Sequence, residues 1–124
     1  MRVLVVEDSK VDQFLVVTFL ENFFEDVTVE TANDGLQALK LCDEHNYDLK
    51  FLDINMPSMS GFQFLDNLCK HKCESNIIML SSSLHDEERE KALSYRCVSA
   101  YIEKPLKKEH LDVIKSILKE DDGD

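Results

Sequence analysis

Residues 48–61 read DLKFLDINMPSMSG. The apolar run LKFL ends on an acid, Asp53, and loop residues including Pro57 and Gly61 follow at once. A short run of large apolar residues closed by turn formers has the signature of a buried strand. A carboxylate at the end of such a strand is either a cap for the next turn or part of a site. What the neighbouring strands place beside it decides between the two.

Four other runs share the signature: RVLVV (2–6), DVTVET (26–31), NIIML (76–80) and SAYIE (99–103). With LKFL (49–52) they alternate with segments of helical spacing at 10–23, 35–45, 61–71, 86–95 and 107–120. Strict alternation of this kind predicts an α/β fold, a parallel sheet with helices on both faces. In open parallel sheets ligands bind beyond the carboxyl ends of the strands, where the strand order reverses. Those ends carry Glu7-Asp8, Asp53, Ser81-Ser82 and Glu103-Lys104-Pro105. One rim would therefore gather the carboxylates of Glu7, Asp8 and Asp53, a hydroxyl and a lysine.

The chain has 124 residues, which fits a single domain over 1–124 with a core large enough to fold without disulfides or metal. Residues 120–124 read as a frayed acidic end. There is no internal repeat. Twenty-five acids against 14 bases give a net charge of −11, which repels nucleic-acid phosphates and anionic lipid heads. Direct nucleic-acid binding and a membrane role are therefore not expected. With no signal pattern and no apolar stretch of spanning length, the expected compartment is the cytoplasm. The four cysteines (42, 69, 73 and 97) are accordingly expected as reduced thiols. In CKHKC (69–73) a helix would put Cys69 and Cys73 on one face and His71 on another, so the three do not converge as metal ligands should.

Three ionised carboxylates in one cleft repel each other and need protons or a cation. An all-oxygen donor set suits Mg²⁺, with Mn²⁺ the alternative, and Mg²⁺ commonly completes its shell with a phosphoryl oxygen. Lys104 offers a point charge and Ser81 a hydroxyl to such an oxygen, while a carboxylate is an established phosphate-accepting nucleophile. The parts fit aspartyl phosphorylation. Asp8 as a helix cap and Asp53 as a turn cap are each an ordinary alternative, but capping does not explain all five rim groups together.

The stretches VVEDS (5–9), DINMPSMSG (53–61), IIMLSSS (77–83) and AYIEKPL (100–106), in this order and spacing, resemble the receiver (CheY-like) domain of two-component response regulators, from Val3 to about Leu118. The resemblance implies a doubly wound, flavodoxin-like fold of strand order 2-1-3-4-5. It implies that Asp53 accepts the phosphoryl group, that Asp8 binds Mg²⁺ directly, that Glu7 acts on the ion through water, and that Asn55 offers its backbone carbonyl. Lys104 would contact the phosphoryl group, Ser81 would be the switch hydroxyl and Tyr101 the switch aromatic, and Pro105 would follow a cis peptide bond. The implied partners are a histidine kinase or histidine phosphotransfer protein and a downstream protein target that the sequence does not name. Such a chain is not an enzyme beyond promoting its own phosphorylation and dephosphorylation.

Two positions depart from the family pattern. Lys50 puts a charge in a central strand, where its stem can snorkel toward the sheet's end, and Arg96-Cys97 replaces a small pair before the last strand. Helix 10–23 is more apolar than one buried stripe requires. Its wheel groups Leu15, Val16, Phe19, Leu20 and Phe23 on one arc, expected inside, and Lys10, Phe14, Val17, Thr18 and Glu21 on the other. The outer arc, with Phe14, Val17 and Thr18, is the expected docking face for a phosphodonor. A rival reading, a Mg²⁺-dependent aspartyl-phosphate hydrolase of haloacid-dehalogenase type, would want an acid two residues after Asp53. That position holds Asn55, and the chain is short for a cap domain.

Overall fold

The computed structural model describes residues 1–56, 59–71, 76–82 and 85–121, with 69–71 and 119–121 described in backbone only. Pro57, Cys73, Ser83 and the acidic tail 122–124 lie outside the described residues, as do the side chains of Cys69 and His71, so the CKHKC reading is not addressed. Five strands, β1 (Arg2–Val6), β2 (Thr28–Ala32), β3 (Leu49–Asp53), β4 (Ile77–Ser81) and β5 (Val98–Glu103), alternate with α1 (Lys10–Phe23), α2 (Gly35–Glu44), α3 (Gly61–His71), α4 (Asp86–Leu93) and α5 (Leu111–Asp121). The sheet is parallel in the order β2-β1-β3-β4-β5. Chain order reverses at β1, so the crevice between the ends of β1 and β3 is the place such a sheet keeps for ligands.

Period-two alternation along the strands divides the core. Val3, Val5, Leu49, Phe51, Ile78 and Leu80 pack on one side with Val16 and Leu20 of α1 and Ile114 and Ile117 of α5. Leu4, Val6, Leu52, Ile77 and Met79 pack on the other with Ala38, Phe64, Leu65 and Ala92. Strands buried on both faces must be nearly continuously apolar, as β1, β3 and β4 are.

Local chemistry sets the helix starts. Ser9, not Asp8, caps α1: its Oγ accepts the Asp12 amide at 3.3 Å, which leaves the Asp8 carboxylate free for the rim. Before α3, Ser60 and Gln63 form a reciprocal capping box, with Gln63 N donating to Ser60 Oγ at 3.2 Å and Ser60 N to Gln63 Oε1 at 2.9 Å. Helix α5 is preceded by a 3-10 turn, Lys108–His110, so the expected helix over 107–120 is two elements.

The expected inner arc of α1 is rotated from the observed one. Val16 and Leu20 are buried and Phe19 partly so, but Leu15 and Phe23 are exposed and Gln13 is buried. Gln13 is stable inside because its Nε2 donates to Glu7 O at 2.6 Å and to Asn33 Oδ1 at 2.8 Å, satisfying a polar group that burial would otherwise penalise. Of the expected outer arc, Phe14 is exposed, while Val17 and Thr18 are only half exposed.

Lys50 is buried, and its stem carries the ammonium to Asn76 Oδ1 at 2.9 Å. Asn76 Nδ2 in turn donates to Tyr47 O at 2.8 Å. The turn before β5 is held by Ile77 N donating to Cys97 O at 3.0 Å. Contrary to the expectation of reduced thiols, Cys97 is disulfide-bonded, while Cys42 is a buried thiol outside any disulfide. Burial of both shields them from solvent.

Asn76→Ala removes two buried hydrogen bonds, one of them to an ammonium. It is expected to cost about 2–4 kcal/mol of unfolding free energy, measured by urea denaturation, with the rim at the opposite ends of the strands unaffected.

Candidate functional site

The sheet brings the expected rim together. Glu7 follows β1, its amide donating to Ala32 O at 3.0 Å, and Asp53 is the last residue of the adjacent β3. Both are buried, at 2% and 6% exposure, whereas Asp8 is exposed. Carboxylate oxygens of Glu7, Asp8 and Asp53 all lie within 4.8 Å of one another. Ser81 ends β4 and is fully buried, and its carbonyl accepts the Lys104 amide at 2.7 Å, which ties the end of β5 to the end of β4. The Lys104–Pro105 bond is cis, as the resemblance implies.

Lys104 Nζ is the hub of the charges. It lies 2.6 Å from Glu7 Oε2, 2.9 Å from Asp12 Oδ2 and 3.6 Å from Asp53 Oδ1. Burial alone would lower the ammonium's pKa, but hydrogen bonds to Glu7 and Asp12 carry it above the ordinary lysine range. For Glu7 the balance is the reverse. Burial pushes it up to about 7 and the Asp53 charge adds to the rise, against the Lys104 and Ser9 hydrogen bonds. Asp53 is also raised, chiefly by burial, while Lys104 and the Asn55 amide work to lower it.

The β3–α3 loop is close to its steric limit. Gly61 N donates to Ile54 O at 2.8 Å, and a Cβ on Gly61 would stand 2.8 Å from Asp53 O and 3.0 Å from Ile54 Cα. Only glycine fits there without moving Asp53. The same loop rests on α2, since a Cβ on Gly35 would meet Met59 Sδ at 2.7 Å.

The donor set fits a hard divalent cation: carboxylate oxygens of Glu7, Asp8 and Asp53 converge, two of the three groups buried. The backbone amide of Asn55 is engaged by Asp53. Tyr101 is half-buried on β5, packed against the cluster beneath α2, α3 and α4. Phe14 stands on the solvent side of α1.

Two residues of the site were not among the expected ones. Asp12 binds Lys104 from the first turn of α1, and Gln13 props the Glu7 backbone. An acid one turn after Asp8 was a visible signal for the first, and nothing in the pattern pointed to the second. Beside Lys104 opens a largely apolar cleft of about 240 Å³, lined by Leu15, Phe19 and Phe23 of α1 together with Leu80, Pro105 and Leu106.

A profile of the family described as response regulator receiver domain matches residues 3–115. The chain is 32% identical over 112 residues to the cell cycle response regulator CtrA of Brucella ovis, a match that covers 90% of this chain and 47% of that protein. It thus spans about half the length of the curated relatives it matches. Among solved structures, a CheY-like response regulator receiver domain protein from Methanospirillum hungatei superposes with a TM-score of 0.86 at 28% identity, covering 98% of this chain and 96% of the other. The response regulator TrrA from Thermotoga maritima, solved in complex with Mg²⁺-BeF, gives a TM-score of 0.76 at 30% identity, covering 94% and 97%. Both have the doubly wound architecture found here.

Because Glu7 in the metal-free fold is raised from 4.5 to about 7, the folded state binds the extra proton. Its contribution to stability is complete below pH about 4.5 and is lost as pH rises through about 7. Relative to Glu7→Gln, the metal-free protein should therefore lose up to about 3 kcal/mol across that window, followed by chemical denaturation in EDTA. Added Mg²⁺ should reverse the loss at the alkaline end.

Proposed function

The chain belongs to the response regulator receiver domain family, and we propose that it takes a phosphoryl group on Asp53 from a phosphohistidine protein and changes a protein-binding surface in response. The observation that carries this reading is the placement of Asp53: a buried carboxylate at the end of β3, clustered with Glu7 and Asp8 and 3.6 Å from the Lys104 ammonium.

In the transfer, an Asp53 carboxylate oxygen attacks the donor phosphorus, an O–P bond forms, and the P–N bond to the donor imidazole breaks. The electron pair leaves with the imidazole nitrogen. Chemistry of this kind depends on alignment and charge neutralisation more than on covalent help. Lys104 sits where it can meet one phosphoryl oxygen, and the Ser81 hydroxyl, at the end of the next strand, can donate to another. Asp8, Asp53 and the Asn55 carbonyl would hold Mg²⁺ or Mn²⁺, with Glu7 acting through water. When bound, the ion neutralises the carboxylates and the developing phosphoryl charge. Turnover would be confined to the protein's own phosphoryl group, so the chain acts as a switch and not as an enzyme on separate substrates.

The donor is a histidine kinase or histidine phosphotransfer protein, seated against α1. The cleft flanked by Leu15, Phe19 and Phe23 opens beside Lys104, and Phe14 and the half-exposed Thr18 extend the surface along the helix. The downstream partner reads the surface around Tyr101, which Ser81 would bias toward the interior when it turns to the phosphoryl group. Among the described residues no helix is long and apolar enough to cross a membrane, and a cytoplasmic place of work follows from the proposed donor.

Incubation with acetyl phosphate and Mg²⁺ should add one phosphoryl group by intact mass, and Asp53→Asn should abolish it. Stoichiometric labelling that persists in Asp53→Asn would overturn the assignment. Leu15→Asp or Phe14→Ala should slow transfer from a phosphohistidine protein by roughly tenfold, the scale of losing one interface anchor, while leaving acetyl phosphate labelling unchanged. Equal loss with both donors would remove the docking reading.

A further inference from the structure

We infer that Asp12 is a positioning residue whose carboxylate, on the first turn of α1, holds the Lys104 ammonium away from Asp53 and so restrains phosphoryl transfer onto it. The inference rests on the phosphoacceptor reading above and concerns its regulation. An ammonium has three hydrogens to give. Two of those of Lys104 are directed at Glu7 and Asp12, at 2.6 and 2.9 Å, while Asp53 at 3.6 Å is beyond hydrogen-bond reach. The lysine backbone cannot follow the side chain, because its amide is fixed to Ser81 O at 2.7 Å.

Asp12 differs in kind from the other carboxylates around Lys104. Glu7, Asp8 and Asp53 form the convergent oxygen cluster, and Asp12 stands outside it. A cation drawn to that cluster competes with Lys104 for Glu7 and leaves the bond to Asp12 intact. With Glu7 taken by the cation, Asp12 is the contact that still sets how far the ammonium stands from Asp53, and loosening it lets the ammonium move toward a phosphoryl oxygen there. Its side chain is 35% exposed, against 2% for Glu7 and 8% for Asp53, so water can receive the released carboxylate at little cost. Asp12 also lines the cleft beside α1 together with Lys104 and Pro105. Whatever occupies that cleft lies directly against the contact.

Asp12→Asn keeps the side-chain size and removes the charge. With acetyl phosphate and Mg²⁺, intact mass should show it labelled roughly two- to five-fold faster than wild type, the range expected for a partly exposed ion pair. In the metal-free protein, ¹⁵N-lysine spectra should show the Lys104 ammonium signal shifted and exchanging faster in Asp12→Asn, and Asp12→Glu should restore both readouts toward wild type. Should Asp12→Asn not fold, Asp12→Ser carries the same comparison. Unchanged or slower labelling of the charge-free variant, or an unaltered Lys104 signal, overturns the inference while wild-type labelling leaves Asp53 as acceptor. Absence of labelling in wild type overturns the phosphoacceptor reading and this inference with it.

Discussion

One ammonium among carboxylates is the constraint on which the rim depends. The parallel order β2-β1-β3 sets the ends of β1 and β3 side by side, so whatever side chains the two strands finish with must coexist. They finish with acids. Two like charges about 4 Å apart repel by roughly 4 kcal/mol at a surface-like effective dielectric, several times the net worth of an ordinary hydrogen bond. Geometry cannot relieve this, because the backbones are fixed by the sheet and by the Gly61 amide bonded to Ile54 O at 2.8 Å. Protonation, a cation or Lys104 must do so; burial is the main reason Glu7 is raised to about 7, and the Asp53 charge adds to it.

The same constraint explains why the core is so completely apolar beneath the rim. Every residue of β3 and β4 is buried, and the two clusters on either side of the sheet leave little freedom at the strand ends. A close-packed interior transmits strain instead of absorbing it. Charges placed on such a platform are held in a repulsive arrangement that a flexible loop would relax. Lys50 is the one cation within these strands, and Asn76 holds it at the amino-terminal end of the sheet, away from the acids.

The strands and the rim were legible in the sequence because they rest on local rules: period two, turn residues, and acids where apolar runs stop. The strand limits moved by one or two residues, as with Thr28–Ala32 in place of 26–31, since ladder hydrogen bonds and not composition set them. Helix α1 shows where such reading stops. A wheel groups residues into arcs but does not say which arc faces the sheet, and the more apolar arc was the natural choice. The structure prefers the arc containing Gln13, because Glu7 O and Asn33 supply bonds that only the tertiary fold can offer. Leu15 and Phe23 are thereby left at the surface, where they border the cleft. The disulfide at Cys97 likewise depends on spatial neighbours that spacing along the chain does not reveal.

Lys104 therefore belongs to two surfaces at once. Through Glu7 and Asp53 it answers to the charge state of the rim, and through Asp12 and the cleft it answers to whatever lies against α1. Its amide is bonded to Ser81 O, which ties the ends of β4 and β5 together. Tyr101 lies three residues before it on β5, in register with Met79 of β4 and half-buried against the neighbouring cluster. The coupling proposed between rim and surface therefore spans a short distance in the fold: Tyr101 pairs with Met79, two residues before Ser81, and Ser81 O holds the Lys104 amide.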